Sequence, residues 1–120
     1  MMKFNSLCII GMGYIGLPTA SVFANHGLNV IGMDVNTDVI EHLQAGEVHI
    51  FEPGLQKLFD QAIETGMLQV ATEVSPADAF IIAVPTPFYD DKSADMRYVE
   101  SAAESIVPHL RPGNLVILES

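Results

Sequence analysis

The stretch Gly11-Met12-Gly13-Tyr14-Ile15-Gly16 directly follows the apolar run Leu7-Cys8-Ile9-Ile10. A strand, three glycines at G-x-G-x-x-G spacing and a helical pattern, in that order, are what a dinucleotide pyrophosphate requires. Gly11 permits the tight turn off the strand. Gly13 lacks a Cβ, so its backbone can come close to phosphate oxygens, and Gly16 lets the following helix lie close against the strand. The start of that helix presents free N–H groups together with the positive end of its dipole. A ligand-free strand-to-helix turn can carry the same six residues, so the surroundings must decide between the two.

Two neighbours of the turn favour a nucleotide. From Ile15 onward, Ile15, Thr19, Val22, Phe23 and His26 fall at the spacing of a helix buried along one side. A second strand, Asn29-Val30-Ile31-Gly32-Met33, then ends in Asp34. An acidic residue at that tip, about 20 residues past the glycines, is where a carboxylate accepts hydrogen bonds from the adenosine ribose. Asp34 could instead act as a helix cap or turn residue, because Asn36-Thr37-Asp38 follows it. A carboxylate there repels a 2′-phosphate, and Asp34 to Asp38 contains no Arg or Lys, so NAD is favoured over NADP.

Charge and composition narrow the function class. Five Lys+Arg against fifteen Asp+Glu give a formal net charge of −10, which repels nucleic acid and anionic membrane surfaces. Any bound anion must then rely on main-chain N–H groups. The 120 residues are enough for one core, and the 49% hydrophobic content contains no run of membrane-spanning length. No secretory signal is visible at the N-terminus, and a cytoplasmic location is expected. Cys8, the single cysteine, sits inside the first strand and reads as a small buried hydrophobe, not a nucleophile. His26, His42, His49 and His109 show no paired metal-ligand spacing, so no metal is expected. His26 and His109 read as helix-end residues.

Further along, helices are predicted from about Asp38 to Ala45 and from Glu52-Pro53-Gly54 onward, the latter with Leu55, Leu58, Phe59, Ala62 and Ile63 on its apolar face. Met67 to Thr72 and Ala79 to Val84 read as strands three and four. A long helix carries Val99, Ala102, Ala103, Ile106, Val107 and Leu110, with Pro108 loosening its last turn. Leu115 to Leu118 is the fifth strand. The alternation implies a Rossmann-like α/β fold, a doubly wound parallel sheet of order 3-2-1-4-5. One link strains that scheme: Glu73 to Asp78 is shorter than the usual parallel crossover, so strand three should end early. The acidic stretch Tyr89 to Asp95 reads as a solvated loop. In a doubly wound sheet the ligand lies beyond the strand tips where the order reverses. There Val84-Pro85-Thr86-Pro87-Phe88 forms a proline-stiffened loop offering the Thr86 hydroxyl.

Gly11 to Pro18, Asp34, Glu52-Pro53-Gly54-Leu55 and Val84-Pro85-Thr86-Pro87 together resemble the N-terminal domain of the UDP-glucose/GDP-mannose dehydrogenase family. The resemblance spans the whole chain. Within the family, Gly46-Glu47-Val48-His49-Ile50, Ala83 to Phe88, Asp95-Met96 with Tyr98-Val99-Glu100, and Leu115 to Ser120 look most like the members that oxidise UDP-N-acetyl-D-mannosamine. Many members carry a Lys where this chain has Val39.

The resemblance implies a four-electron oxidation of a sugar C6 alcohol to a carboxylate with two NAD, serving cell-surface polysaccharide synthesis. A downstream cysteine would attack the aldehyde-level intermediate, and the resulting thioester would be hydrolysed. It further implies that residues 1–120 are a truncated module, without the central dimerisation and C-terminal UDP-sugar domains. Such a module would bind NAD and catalyse nothing, while its parent would be a homo-oligomer. The site residues implied are Gly11, Gly13, Tyr14, Ile15 and Gly16 around the pyrophosphate, Asp34 on the ribose and Thr86 at the tip of strand four. Two other classes share parts of this pattern: an NAD-sensing regulatory domain and a two-electron hydroxyacid dehydrogenase. The charge around Asp34 makes one outcome measurable: titration near neutral pH should show tighter binding of NAD than of NADP.

Overall fold

Strand β1 (Ser6–Ile10) shows why its sequence is apolar at every position from Leu7 onward. Leu7 and Ile9 point into one core, while Cys8 and Ile10 point into a second core on the opposite face. The pattern repeats in β4 (Ala79–Ile82), where Ala79 and Ile81 enter the first core and Phe80 and Ile82 the second. Central parallel strands are covered on both sides and therefore lack the polar alternation of half-exposed ones. The computed structural model describes residues 4–119; Ser120, part of the C-terminal motif in the family resemblance, lies outside them.

With β2 (Asn29–Met33), β3 (Leu68–Ala71) and β5 (Leu115–Leu118), these strands form one sheet of order β3-β2-β1-β4-β5. Every pairing is parallel. Helices α1 (Gly16–Asn25), α2 (Thr37–Gln44) and α3 (Leu55–Glu64) contribute to the first core. Helix α4 (Arg97–Ile106) closes the second. The doubly wound architecture and the strand order agree with the sequence reading.

The short link between β3 and β4 is an extended strap. Its seven residues, 72–78, pass over β2 and β1 without a helix. Three strand spacings across and one strand length back, taken at right angles, make a diagonal of roughly 19 Å, and an extended chain of this length reaches about 26 Å. The crossing is therefore feasible once β3 stops at Ala71. Val74 and Ala77 of the strap pack into the second core beside Cys8 and Phe80. With α4 they cover the face of β1 that carries Cys8 and Ile10. Burial there raises the pKa of the fully buried Cys8 thiol, which makes it inert.

Helix α1 departs from its predicted stripe. Its buried residues are Gly16, Leu17, Ala20, Ser21 and Ala24, whereas Ile15, Val22 and Phe23 are exposed. Small side chains outrank large ones here because the helix lies so close to the strands. A Cβ on Gly16 would stand 1.7 Å from the Gly11 carbonyl oxygen. Buried Ser21 is satisfied by donating to the Leu17 carbonyl at 2.9 Å. On α3, Leu55, Phe59 and Ala62 are buried as read, but Ile63 is exposed. The last helix is shorter than predicted: after Ile106 the chain tightens into a 3₁₀ turn, Val107–His109, containing Pro108. Only Ala102 and Ile106 of its predicted face are buried. Ala103, Val107 and Leu110 are exposed.

The acidic segment after β4 is a hairpin as well as a solvated loop. Phe88 and Ala94 form an antiparallel bridge, and the Tyr89 N–H donates to the Ser93 carbonyl at 2.8 Å. Asp95 is buried, against expectation, and its oxygens accept from the Arg97 backbone and guanidinium. Those bonds hold its carboxyl well below the usual carboxylate range. The Asp95 N–H returns to the Pro87 carbonyl, which ties the hairpin to the loop at the β4 tip.

Two stability measurements follow. Gly16→Ala should cost about 1–3 kcal/mol in chemical denaturation, the range for forced overpacking. Gly13→Ala should stay within about 0.5 kcal/mol of the parent, because a Cβ there meets nothing within 4 Å. A depressed carboxyl pKa stabilises the fold above the unfolded value and loses that effect as pH falls through the folded one. Asp95→Asn should therefore lower Tm at neutral pH, with the difference shrinking below about pH 4.

Candidate functional site

The C-terminal tips of β1, β2 and β4 surround a cavity of about 660 Å³, within the range of small-molecule sites. One wall is the glycine turn. Gly11 has φ +106, and a Cβ would lie 2.7 Å from the Ala83 carbonyl oxygen, so only glycine fits this bend between β1 and β4. Gly13 faces open space. Gly16 sits behind the turn and forms no part of the cavity lining. The three glycines thus serve three purposes: bend, approach and packing.

Main-chain donors of the turn divide cleanly. The Gly11 N–H bonds the Met33 carbonyl at 2.7 Å, and the Met12 N–H bonds Asp34 Oδ2 at 2.9 Å. Helical bonding resumes with the Leu17 N–H, which donates to the Gly13 carbonyl. Among the described residues, no acceptor within the chain takes the N–H groups of Gly13, Tyr14 or Ile15. They lie at a helix start, where unpaired donors and the dipole both favour an anion. Tyr14 is exposed, so its contribution here is its backbone.

Asp34 ends β2 and lines the opposite wall. Besides the Met12 bond, its Oδ1 accepts the Asn36 N–H at 2.9 Å. Two backbone donors fix the carboxylate while leaving each oxygen with capacity for a further hydrogen bond. Capping of α2 falls to Asn36, whose side chain accepts from Asp38 and Val39, so Asp34 is free of that duty. Val35 and Val39 extend this wall as apolar surface.

The third wall comes from Ala83, Val84 and Pro85, with Tyr98 and Ser101 of α4 beside them. Thr86 is half-buried one residue beyond Pro85 and does not line the cavity. Residues the sequence did not single out also reach the cavity, chiefly His49 from the loop between α2 and α3. In the sequence it belongs to the Gly46-Glu47-Val48-His49-Ile50 stretch of the family resemblance, but no spacing pattern assigns it a place in the site. Burial pushes the His49 imidazole below the ordinary histidine range, against the pull of the Asp34 carboxylate and the Met12 carbonyl. Among the described residues, no group of three or more His, Cys, Asp or Glu is arranged to hold a metal ion, and no helix is long and apolar enough to cross a membrane.

Unpaired amides at a helix start, an open Gly13 and an oriented carboxylate fit the diphosphate and ribose of a dinucleotide. Comparison with known proteins agrees. The family described as UDP-glucose/GDP-mannose dehydrogenase family, NAD binding domain, matches residues 5–120. A UDP-N-acetyl-D-mannosamine dehydrogenase of Yersinia pestis is 54% identical over 119 residues, covering 99% of this chain and 28% of that protein. An NDP-N-acetyl-D-galactosaminuronic acid dehydrogenase of Ralstonia nicotianae is 49% identical over 117 residues, covering 98% of this chain and 28% of the relative. Among solved structures, a UDP-N-acetyl-mannosamine dehydrogenase of Staphylococcus aureus superposes with a TM-score of 0.93 at 47% identity, over 96% of this chain and 28% of that one. The chain therefore spans somewhat more than a quarter of the length of these relatives. It belongs to the UDP-glucose/GDP-mannose dehydrogenase family, whose NAD-binding domain it forms.

Proposed function

We propose that this chain is the cofactor-holding part of an enzyme that oxidises the C6 alcohol of UDP-N-acetyl-D-mannosamine to the carboxylate. The observation that carries the proposal is one cavity joining the free amides of Gly13, Tyr14 and Ile15 to the fixed Asp34 carboxylate. In this reading those amides hold the pyrophosphate, and Asp34 accepts hydrogen bonds from the adenosine ribose. Gly11 and Gly16 shape the turn, and Thr86 comes to the cofactor from the β4 tip. NAD, when bound, supplies the hydride acceptor.

The chain's own residues bind and orient; they do not perform the sugar chemistry. Cys8 lies buried in β1 between β2 and β4, so the nucleophile that a four-electron oxidation needs must come from elsewhere in the parent. Residues 1–120 accordingly act as an NAD-binding module without turnover of their own. Domains for the UDP-sugar and for dimerisation complete a homo-oligomeric, cytoplasmic parent that supplies cell-surface polysaccharide. The Yersinia relative supports the mannosamine substrate. The Ralstonia relative favours a second reading, in which an N-acetylgalactosamine nucleotide is oxidised at the same position. An NAD sensor or a two-electron hydroxyacid dehydrogenase would need neither the proline loop at β4 nor the Glu52-Pro53-Gly54-Leu55 segment.

The test is an assay of the full-length parent with the UDP-linked N-acetylmannosamine, N-acetylgalactosamine, N-acetylglucosamine and glucose side by side. The first should be preferred and should release two NADH per sugar. One NADH per turnover, or no sugar-nucleotide activity, would overturn the proposal. At the cofactor site, Asp34→Ala should weaken NAD binding by roughly 1.5–3 kcal/mol, the scale of a hydrogen bond to a charged group. Gly13→Ala, neutral for stability, should also weaken binding because its methyl would occupy the approach to the diphosphate. Calorimetric titration checks both, and an unchanged Kd would remove that residue from the site.

A further inference from the structure

We infer that His49 belongs to the adenosine-ribose subsite, where its imidazole sets the net charge that Asp34 presents to the ribose 2′ position. The inference rests on NAD occupying the cavity as proposed above.

The geometry starts with how the loop is pinned. Residues 45–54 contain no helix or strand, yet both neighbours of His49 are anchored. Ile50 is buried in the first core, and the Val48 N–H donates to Gln56 Oε1 at 3.1 Å. Gln56 Nε2 donates in turn to the Gly46 carbonyl at 3.0 Å. This clamp from α3 directs His49 into the cavity that Asp34 and Met12 also line. His49 thus shares one cavity with the glycine turn and the β2 tip, which the hydrogen bond from Met12 to Asp34 couples.

Charge then gives the residue a function that packing alone would not. The titratable groups facing the ring are Asp34 at the end of β2 and His42 on α2, and the Met12 carbonyl faces it from the turn. Burial keeps the ring neutral at neutral pH and His42 works the same way, while Asp34 and the Met12 carbonyl oppose them. With a neutral ring, Asp34 stands uncompensated and rejects a 2′-phosphate. As pH falls and the ring takes a proton, its positive charge offsets the carboxylate and the rejection relaxes. A plain 2′-hydroxyl feels this change far less than a phosphate carrying between one and two charges. Selectivity between NAD and NADP should therefore depend on pH through His49.

The experiment measures Kd for NAD and NADP by calorimetry at about pH 8 and about pH 5, the lower end of the interval in which a histidine titrates, because burial pushes the His49 ring below the ordinary range. Wild type, His49→Gln and His42→Gln are compared. The 2′-phosphate itself takes up a proton near pH 6, so the evidence is the difference between variants. In wild type and His42→Gln the preference for NAD should narrow by about fivefold or more on acidification, and in His49→Gln by less than about twofold. Because His49→Gln could perturb the loop, the wild-type ring is also followed by proton NMR. Its Cε1 proton resonance should shift saturably with ADP. Equal pH trends in wild type and His49→Gln, or a ring unmoved by ADP, would overturn the inference while leaving NAD binding intact. Failure of wild type to bind NAD would instead remove the cofactor reading and this one with it.

Discussion

The hydrogen bond from the Met12 amide to Asp34 Oδ2 joins the two halves of the site. It ties the glycine turn after β1 to the tip of β2, and it fixes both the carboxylate and the loop that offers free amides. The Gly11 N–H makes the parallel link to the Met33 carbonyl. The turn and the β2 tip are thereby held as one unit before any ligand arrives. Such preorganisation lowers the ordering cost of binding. It also explains why the Asp34 side chain is directed into the cavity instead of capping α2.

Behind that unit, the constraint is close approach. The Gly16 backbone lies against the Gly11 carbonyl, and α1 presents Gly16, Ala20 and Ala24 to the sheet. Met12 is fully buried, and its sulfur occupies the space over Gly32, where a Cβ would lie 2.5 Å away. A glycine in the middle of a strand therefore belongs to the same packing problem as the glycines of the turn. Four elements meet here at distances that larger side chains would forbid.

These contacts explain what the sequence did and did not reveal. β1, β2, β4 and β5 were legible because their apolar runs are short and bounded by turn residues. Strand order followed from the strand-helix alternation, and Asp34 from its distance past the glycines. The face of α1 was misread because periodicity favours large apolar residues such as Val22 and Phe23, whereas the close fit selects small ones. Asp95 reads as part of a solvated run, since nothing local shows that Arg97 two residues later pairs with it in a buried setting. His49 is not legible as a site residue because its place in the cavity depends on a clamp from Gln56, a contact between segments that no spacing rule contains. Thr86 was assigned from its position at a strand tip, yet the wall there is made by its neighbour Pro85.

The central claim is that main-chain amides of the first strand-to-helix turn hold the dinucleotide's diphosphate. Backbone amide NMR during an ADP-ribose titration tests it most directly. The account predicts that Gly13, Tyr14 and Ile15 show the largest saturable shifts, with Asp34 and its neighbours next. Saturable binding whose largest shifts cluster away from the turn, with those three amides unmoved, would contradict it.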